Sequence, residues 1–239
     1  MDILSFFDSG EYIKCIFCGR LVRKSKCAET AGKTGVCKEC NRHLPIVPVG
    51  TTFQEHRHYI DYCMATFFYR PPLREKILNF KFKSCTAYAD VFAQYMYVYY
   101  SSVTNEADFP DYVVPVPLSK ERFKERGYNQ SELLSKPLAK MLGLEHNTDC
   151  LRRIRDTAKQ SELLPRDRSK NIANAFAADS NMIINKSILL IDDIYTTGST
   201  AKECAKTLVN GGARNVRVYT LARQPWLRKS KEYNDLLGN

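Results

Sequence analysis

An α/β fold, a parallel sheet flanked by helices with a small zinc module in front, is predicted by three stretches of this 239-residue chain. The first is Ser187-Ile188-Leu189-Leu190-Ile191-Asp192-Asp193, branched apolar residues without period-two alternation that end in two acids. Such a run reads as a strand buried on both faces of a parallel sheet. The second follows it directly: a hydroxyl-and-glycine turn, Thr196-Thr197-Gly198-Ser199-Thr200, then a helix over 200–210. The third is a pair of Cys-x-x-Cys knuckles, Cys15 with Cys18 and Cys37 with Cys40.

Taken in order, the knuckles come first. Two pairs separated by a basic, glycine-containing loop have the spacing of a tetrahedral four-thiolate zinc site, and so short a segment needs metal to fold. Four protein ligands close that site to substrate. Cys27 lies between the pairs as a bystander, and His43, His56 and His58 read as surface residues. Pro45-Ile46-Val47-Pro48-Val49-Gly50 reads as the linker out of the module. The division is therefore 1–50 for the zinc module and 51–239 for the main domain.

The stretch 59–70 is rich in β-formers and predicts a strand or hairpin arm. Pro71-Pro72 then opens a helix over 73–80. A second helix over 87–101 carries Tyr88, Phe92, Tyr95 and Tyr99 at helical spacing, a stripe that reads as core. The stretch 111–117 is a core strand, followed by a basic loop with Arg122 and Arg126-Gly127, and then by a helix over 130–142. The stretch 151–155 predicts a strand with basic alternate positions, and 156–170 a mobile loop. Gly211-Gly212 supplies a left-handed cap, and 215–221 alternates as the last strand.

Composition bounds the function. The chain is 44% hydrophobic, enough for a real core, and no apolar run approaches the ~18 residues of a membrane helix. Its first residues carry acids where a signal peptide needs positive charge, so a cytoplasmic protein is expected. Nine cysteines are then thiols or metal ligands. The formal charge of +10 favours polyanionic partners, nucleic acid or polyphosphorylated small molecules, without choosing between them.

The acid pair and the turn define the chemistry. Gly198 allows positive φ and close approach, and the amides from Thr196 to Thr200 open a helix N-terminus suited to phosphate. Asp192 and Asp193 accept from vicinal hydroxyls or hydrated Mg²⁺. The plainer alternative, an Asp that caps the helix, needs only one acid. Basic side chains beside the Arg126-Gly127 turn can hold a diphosphate.

These residues resemble the phosphoribosyl pyrophosphate (PRPP) signature of type I phosphoribosyltransferases. The resemblance implies a PRPP site of Ile191, Asp192, Asp193, Thr196, Thr197, Gly198, Ser199 and Thr200, with Asp192 and Asp193 as its catalytic pair. Arg122, Arg126 and Gly127 would face the diphosphate, with Gln160 and Arg168 on a flexible hood. Pro115-Val116-Pro117-Leu118, Arg126-Gly127-Tyr128-Asn129-Gln130, the run from Thr157 to Leu163, Asn171, Ala175-Phe176 and the cysteine knuckles narrow the likeness. From Cys15 to Arg223 the chain resembles the ComF (competence protein F) family. It departs in a long polar spacer between the cysteine pairs and in Tyr128, where Phe is common.

That family implies natural transformation. A protein at the inner face of the membrane would handle incoming single-stranded DNA with a helicase-like partner, through cations such as Lys81, Lys83, Arg122, Lys124 and Arg126. The alternative is an active phosphoribosyltransferase that passes the sugar to a nitrogen nucleophile, without a DNA role. In purine-salvage relatives a carboxylate stands four positions past the first acid, where this chain has Thr196.

Overall fold

A computed structural model describes residues 12–28, 35–52, 58–105, 108–157 and 168–225. The amino-terminal module is an antiparallel hairpin, β1 (Tyr12–Lys14) with β2 (Leu21–Arg23), followed by a short helix α1 (Lys38–Arg42). The main sheet has five parallel strands: β3 (Cys63–Phe68), β9 (Asn215–Arg223), β8 (Ser187–Tyr195), β4 (Tyr112–Pro115) and β5 (Glu145–His146), in that spatial order.

Strand β8 lies at the centre because its sequence can be buried twice over. Successive side chains of a strand face opposite ways, and here both ways are apolar. Leu189 and Ile191 enter one core, with helices α2 (Leu73–Phe82), α3 (Tyr88–Val103) and α5 (Gln130–Leu142). Ile188 and Leu190 enter the other, with α8 (Ser199–Asn210) and an antiparallel pair, β6 (Leu151–Arg153) and β7 (Phe176–Ala178). Two cores on two faces of one parallel sheet are the expected α/β layering. Two short helices, α6 (Arg168–Ile172) and α7 (Ser180–Ile183), flank β7.

The aromatic stripe on α3 is core: Phe92, Tyr95 and Tyr99 are buried and Tyr88 packs against them. It also fastens the amino-terminal module. Tyr95 Oη donates to Asn41 Oδ1 of α1 at 2.5 Å, and Tyr99 Oη to the Pro48 carbonyl at 3.1 Å. Val36, Leu44 and Val47 share a core with Phe67 of β3. The proline-rich segment expected as a linker runs antiparallel along β3, with Val47 N on Thr66 O at 2.9 Å and Phe68 N on Pro45 O at 2.7 Å. It covers an edge that would otherwise offer unpaired backbone groups.

Three local features differ from expectation. The basic loop after β4 contains a helix, α4 (Lys120–Arg126), started by the Ser119 side chain accepting from Arg122 N at 3.3 Å and ended by Gly127 at φ 78°. After α8 it is Gly212 (φ 104°) that is left-handed, while Gly211 stays right-handed. The last strand is longer than expected and alternates only at its start, because from Val218 onward it is covered on both faces. Of the expected mobile loop, residues 158–167 lie outside the described residues. Among the described residues no helix is long and apolar enough to cross a membrane.

Candidate functional site

The carboxyl ends of β4 and β8 open onto a cavity of about 520 Å³. Open α/β sheets bind ligands at this end of their strands. Asp193 follows Ile191 onto the α2 side of the sheet, where Lys81 Nζ meets its Oδ2 at 2.8 Å. Both side chains of this pair are largely buried, Lys81 at 16% exposure and Asp193 at 12%. Asp192 accepts on Oδ1 from Ser131 Oγ of α5 at 3.1 Å and from the Asp193 amide at 2.8 Å. Burial, then the neighbouring Asp193 charge, pushes the Asp192 carboxyl up to about 7. Lys81 is thus paired with Asp193, and its charge opposes the rise at Asp192 only in part.

The turn after β8 forms the adjoining wall. Thr196, Gly198, Ser199 and Thr200 line the cavity, and α8 begins at Gly198 with no side-chain cap. Neither aspartate caps this helix, and its N-terminus faces the cavity, where a helix dipole favours an anion. Gly198 sits at φ 70°, and a Cβ there would collide with the Tyr195 phenol packed beneath the turn. Only glycine serves at this position. Thr197 is not among the lining residues; its Oγ1 lies 2.9 Å from Ser199 Oγ. Ile191 is fully buried in the core and is not among the lining residues.

The opposite wall is cationic. Arg122 and Arg126 line the cavity, joined by three cations outside the sequence-derived phosphate site: Arg74, Lys81 and Arg153. Arg126 donates from Nη1 to Gln130 Oε1 at 2.7 Å, and its guanidinium lies over the exposed Phe82 ring, 4.9 Å from the centroid. Burial draws the Arg126 pKa down, against the opposing pull of Asp193. Two donors on this wall, Arg126 Nε and Gln130 Nε2, are buried without a hydrogen-bond partner among the described residues. Buried donors are costly unless something accepts from them, so both point to a guest rich in acceptors. Gly127 ends α4 and is not among the lining residues.

The five cations expected to meet DNA divide between the cavity lining and exposed positions. Lys81 is inside the cavity, Arg122 and Arg126 line it, and Lys83 and Lys124 are exposed outside it. Gln160 and the Arg168 side chain lie outside the described residues. Sequence reading missed Arg74, Ser131 and Arg153 as site residues. A usable signal existed for the first, since Arg74, Leu78 and Lys81 recur at helical spacing on one face of α2.

The amino-terminal cysteines form a second centre. The sulfurs of Cys15, Cys18, Cys37 and Cys40 lie within 4.8 Å of one another, with Cys18 and Cys37 at 4.0 Å. Tetrahedral zinc with four thiolates sets its sulfurs about 3.8 Å apart, so these residues fit the ion with little adjustment. The sulfurs already collect donors: Cys37 N on Cys15 Sγ and Cys40 N on Cys37 Sγ, each 3.4 Å, and Arg20 Nε on Cys18 Sγ at 3.5 Å. The Arg20 bond draws the Cys18 thiol down to about 6, towards the thiolate that a metal requires. Cys27 stays outside the cluster, its Sγ against Arg23 O at 3.5 Å.

The family model described as "Phosphoribosyl transferase domain" matches residues 129–238. The "DNA utilization protein YhgH" of Salmonella typhimurium is 32% identical over 213 residues, covering 87% of this chain and 89% of that protein. The "Competence protein F" of Haemophilus influenzae is 30% identical over 209 residues, covering 80% and 91%. The chain belongs to the ComF family. The "Competence protein ComFC" of Streptococcus pneumoniae, 32% identical over 161 residues, covers 66% of this chain and 67% of its own. A four-cysteine module in front of a phosphoribosyltransferase-type sheet is thus the architecture of this ComF member.

Proposed function

We propose that this ComF chain binds PRPP together with Mg²⁺ in the cavity over Asp192 and Asp193, and that it serves the handling of single-stranded DNA in natural transformation. The observation that carries the ligand is the convergence, in one cavity, of a glycine-started helix N-terminus, two carboxyl groups and five cations. An acceptor-rich sugar with phosphoryl groups at both ends answers each of these. The amides and hydroxyls from Thr196 to Thr200 would take the 5′-phosphate, and Asp192 with Asp193 the ribose hydroxyls. Arg122 and Arg126 would take the diphosphate, with Gln160 and Arg168 closing over it. The all-oxygen floor suits a hard cation, and Mg²⁺ arriving with the ligand would offset diphosphate charge.

The DNA half of the proposal rests on the family, on relatives named for competence and DNA utilization, and on the formal charge of +10. The exposed Lys83 and Lys124, with Arg122 of the cavity lining, would meet the phosphate backbone. A helicase-like partner at the inner membrane face belongs to the same reading.

A second reading, an active transferase that passes the sugar to a nitrogen nucleophile, is favoured by the depth of the acid pair, since charge placed around a reacting sugar ring stabilises its transition state. Thr196 cannot exchange a proton near neutrality. Hypoxanthine and guanine are therefore expected to give no turnover with PRPP, and efficient release of pyrophosphate with either base would contradict this.

The test is thermal. At ligand a hundredfold above its dissociation constant, binding adds about 2.7 kcal/mol, or roughly 5–10 °C for a chain of this size. PRPP with Mg²⁺ is expected to raise the melting temperature of the wild-type chain by that order. The chain carrying Asp192→Ala and Asp193→Ala is expected to show no rise; an equal rise would remove the acids from the site.

A further inference from the structure

Lys81 is placed where a surface lysine would not be. Arg74, Leu78 and Lys81 form the cavity-facing side of α2, and the Lys81 ammonium sits 2.8 Å from Asp193 Oδ2 with both side chains mostly out of water. This ammonium occupies the carboxylate that the ligand's ribose hydroxyls or divalent cation would need. Cation and ammonium cannot share one carboxylate oxygen without strong like-charge repulsion. On the same wall, Arg126 Nε and Gln130 Nε2 are buried donors without hydrogen-bond partners among the described residues, so phosphoryl oxygens brought into the cavity would arrive within the lysine's neighbourhood.

We propose that Lys81 is a ligand-binding residue held in reserve: it neutralises Asp193 in the free protein and passes to the diphosphate when PRPP enters, releasing Asp193 to the sugar. The inference rests on the PRPP reading and adds a residue to it. A lysine suits the task, because a compact ammonium on a flexible four-carbon stem can change partner over a few ångströms without moving the backbone. Phosphoryl oxygens are the stronger attractor once present, through charge-assisted hydrogen bonds. The exchange also accounts for a floor that is neither vacant of cations nor permanently sealed by one. Lys81 thereby leaves the set of DNA contacts and joins the cavity.

The experiment uses the whole 239-residue chain, purified with zinc supplied, and two probes. Manganese ion alone is titrated by water-proton relaxation, and PRPP with Mg²⁺ by calorimetry. In Lys81→Gln the acid pair loses its resident cation, so manganese alone is expected to bind about fivefold more tightly than to the wild type. PRPP with Mg²⁺ is expected to bind about tenfold more weakly. Lys81→Arg keeps the charge and the fold, and is expected to return both affinities towards wild type. If Lys81→Gln leaves both affinities unchanged, or lowers both together, Lys81 is not exchanged and the proposal fails. Failure of arginine to restore PRPP affinity has the same meaning. Absence of PRPP binding by the wild type defeats the PRPP reading instead, and the manganese arm still decides whether Lys81 guards the acids.

Discussion

Asp192 and Asp193 are adjacent in sequence but live in different electrostatic settings. Asp193 has Lys81 beside it, whereas Asp192 has a hydroxyl, an amide and its neighbour's charge, and its carboxyl rises to about 7. A carboxyl whose folded pKa exceeds its unfolded value of about 3.9 contributes stability that is full below the unfolded value and is lost as pH rises through the folded one. The ligand-free chain should accordingly lose stability from this group between about pH 4 and pH 7. Asp192→Asn is expected to raise the ligand-free melting temperature at pH 8 and to leave it nearly unchanged at pH 4. Melts across that range check it, and an equal gain at both pH values would contradict the assignment. Gly198 gives a steric test at the same scale. Alanine there must adopt a left-handed backbone, at about 1–2 kcal/mol, and must also displace the Tyr195 ring. Gly198→Ala should lower the denaturation midpoint and weaken binding of inorganic phosphate; a variant equal to wild type in both would mean that the turn is not so constrained.

At the scale of elements, legibility followed locality. Strand β8, its turn and α8 were readable because each signal lies in consecutive residues: an unbroken apolar run, two acids, a glycine among hydroxyls. The parallel sheet followed from the same run. Helix α4 was not readable, because Lys120 to Arg126 offers a single apolar residue, Phe123, which is exposed, and so has no amphipathic period to detect. It is held instead by its two caps. The pairing of Lys81 with Asp193 and the approach of Arg153 were invisible for another reason: they join elements distant in sequence, and only the closed sheet brings them together. The four cysteines were legible from spacing alone. Their docking on α3 was not, since Tyr95 and Tyr99 read simply as core. That docking gives a prediction. If zinc holds the module, a strong chelator or Cys37→Ser should lower the melting temperature of the whole chain, because Val36, Leu44 and Val47 share the core of β3. Metal analysis should find one zinc per chain. A melt indifferent to chelation would contradict this coupling.

For the whole molecule, the formal charge of +10 and the cavity's own excess of cations act on the same class of partners. Binding of single-stranded DNA through Lys83, Arg122 and Lys124 should weaken steeply with salt, since each neutralised phosphate releases counterions. Replacing Lys83 and Lys124 together by Ala should flatten that slope while leaving PRPP affinity near wild type. Arg122 and Arg126 line the cavity and belong to both expected contact sets, so PRPP and DNA are expected to compete weakly, and Arg122→Ala should reduce the competition. Affinity for DNA that is flat in salt would remove the backbone contact from the account. The most direct measurement of the central claim is a crystal structure of the chain with PRPP and Mg²⁺. The account predicts the 5′-phosphate on the amides of Thr196 to Thr200, the ribose hydroxyls on Asp192 and Asp193, and Lys81 turned to the diphosphate. An unoccupied cavity at saturating ligand, or a sugar bound with both aspartates facing away from it, would contradict it.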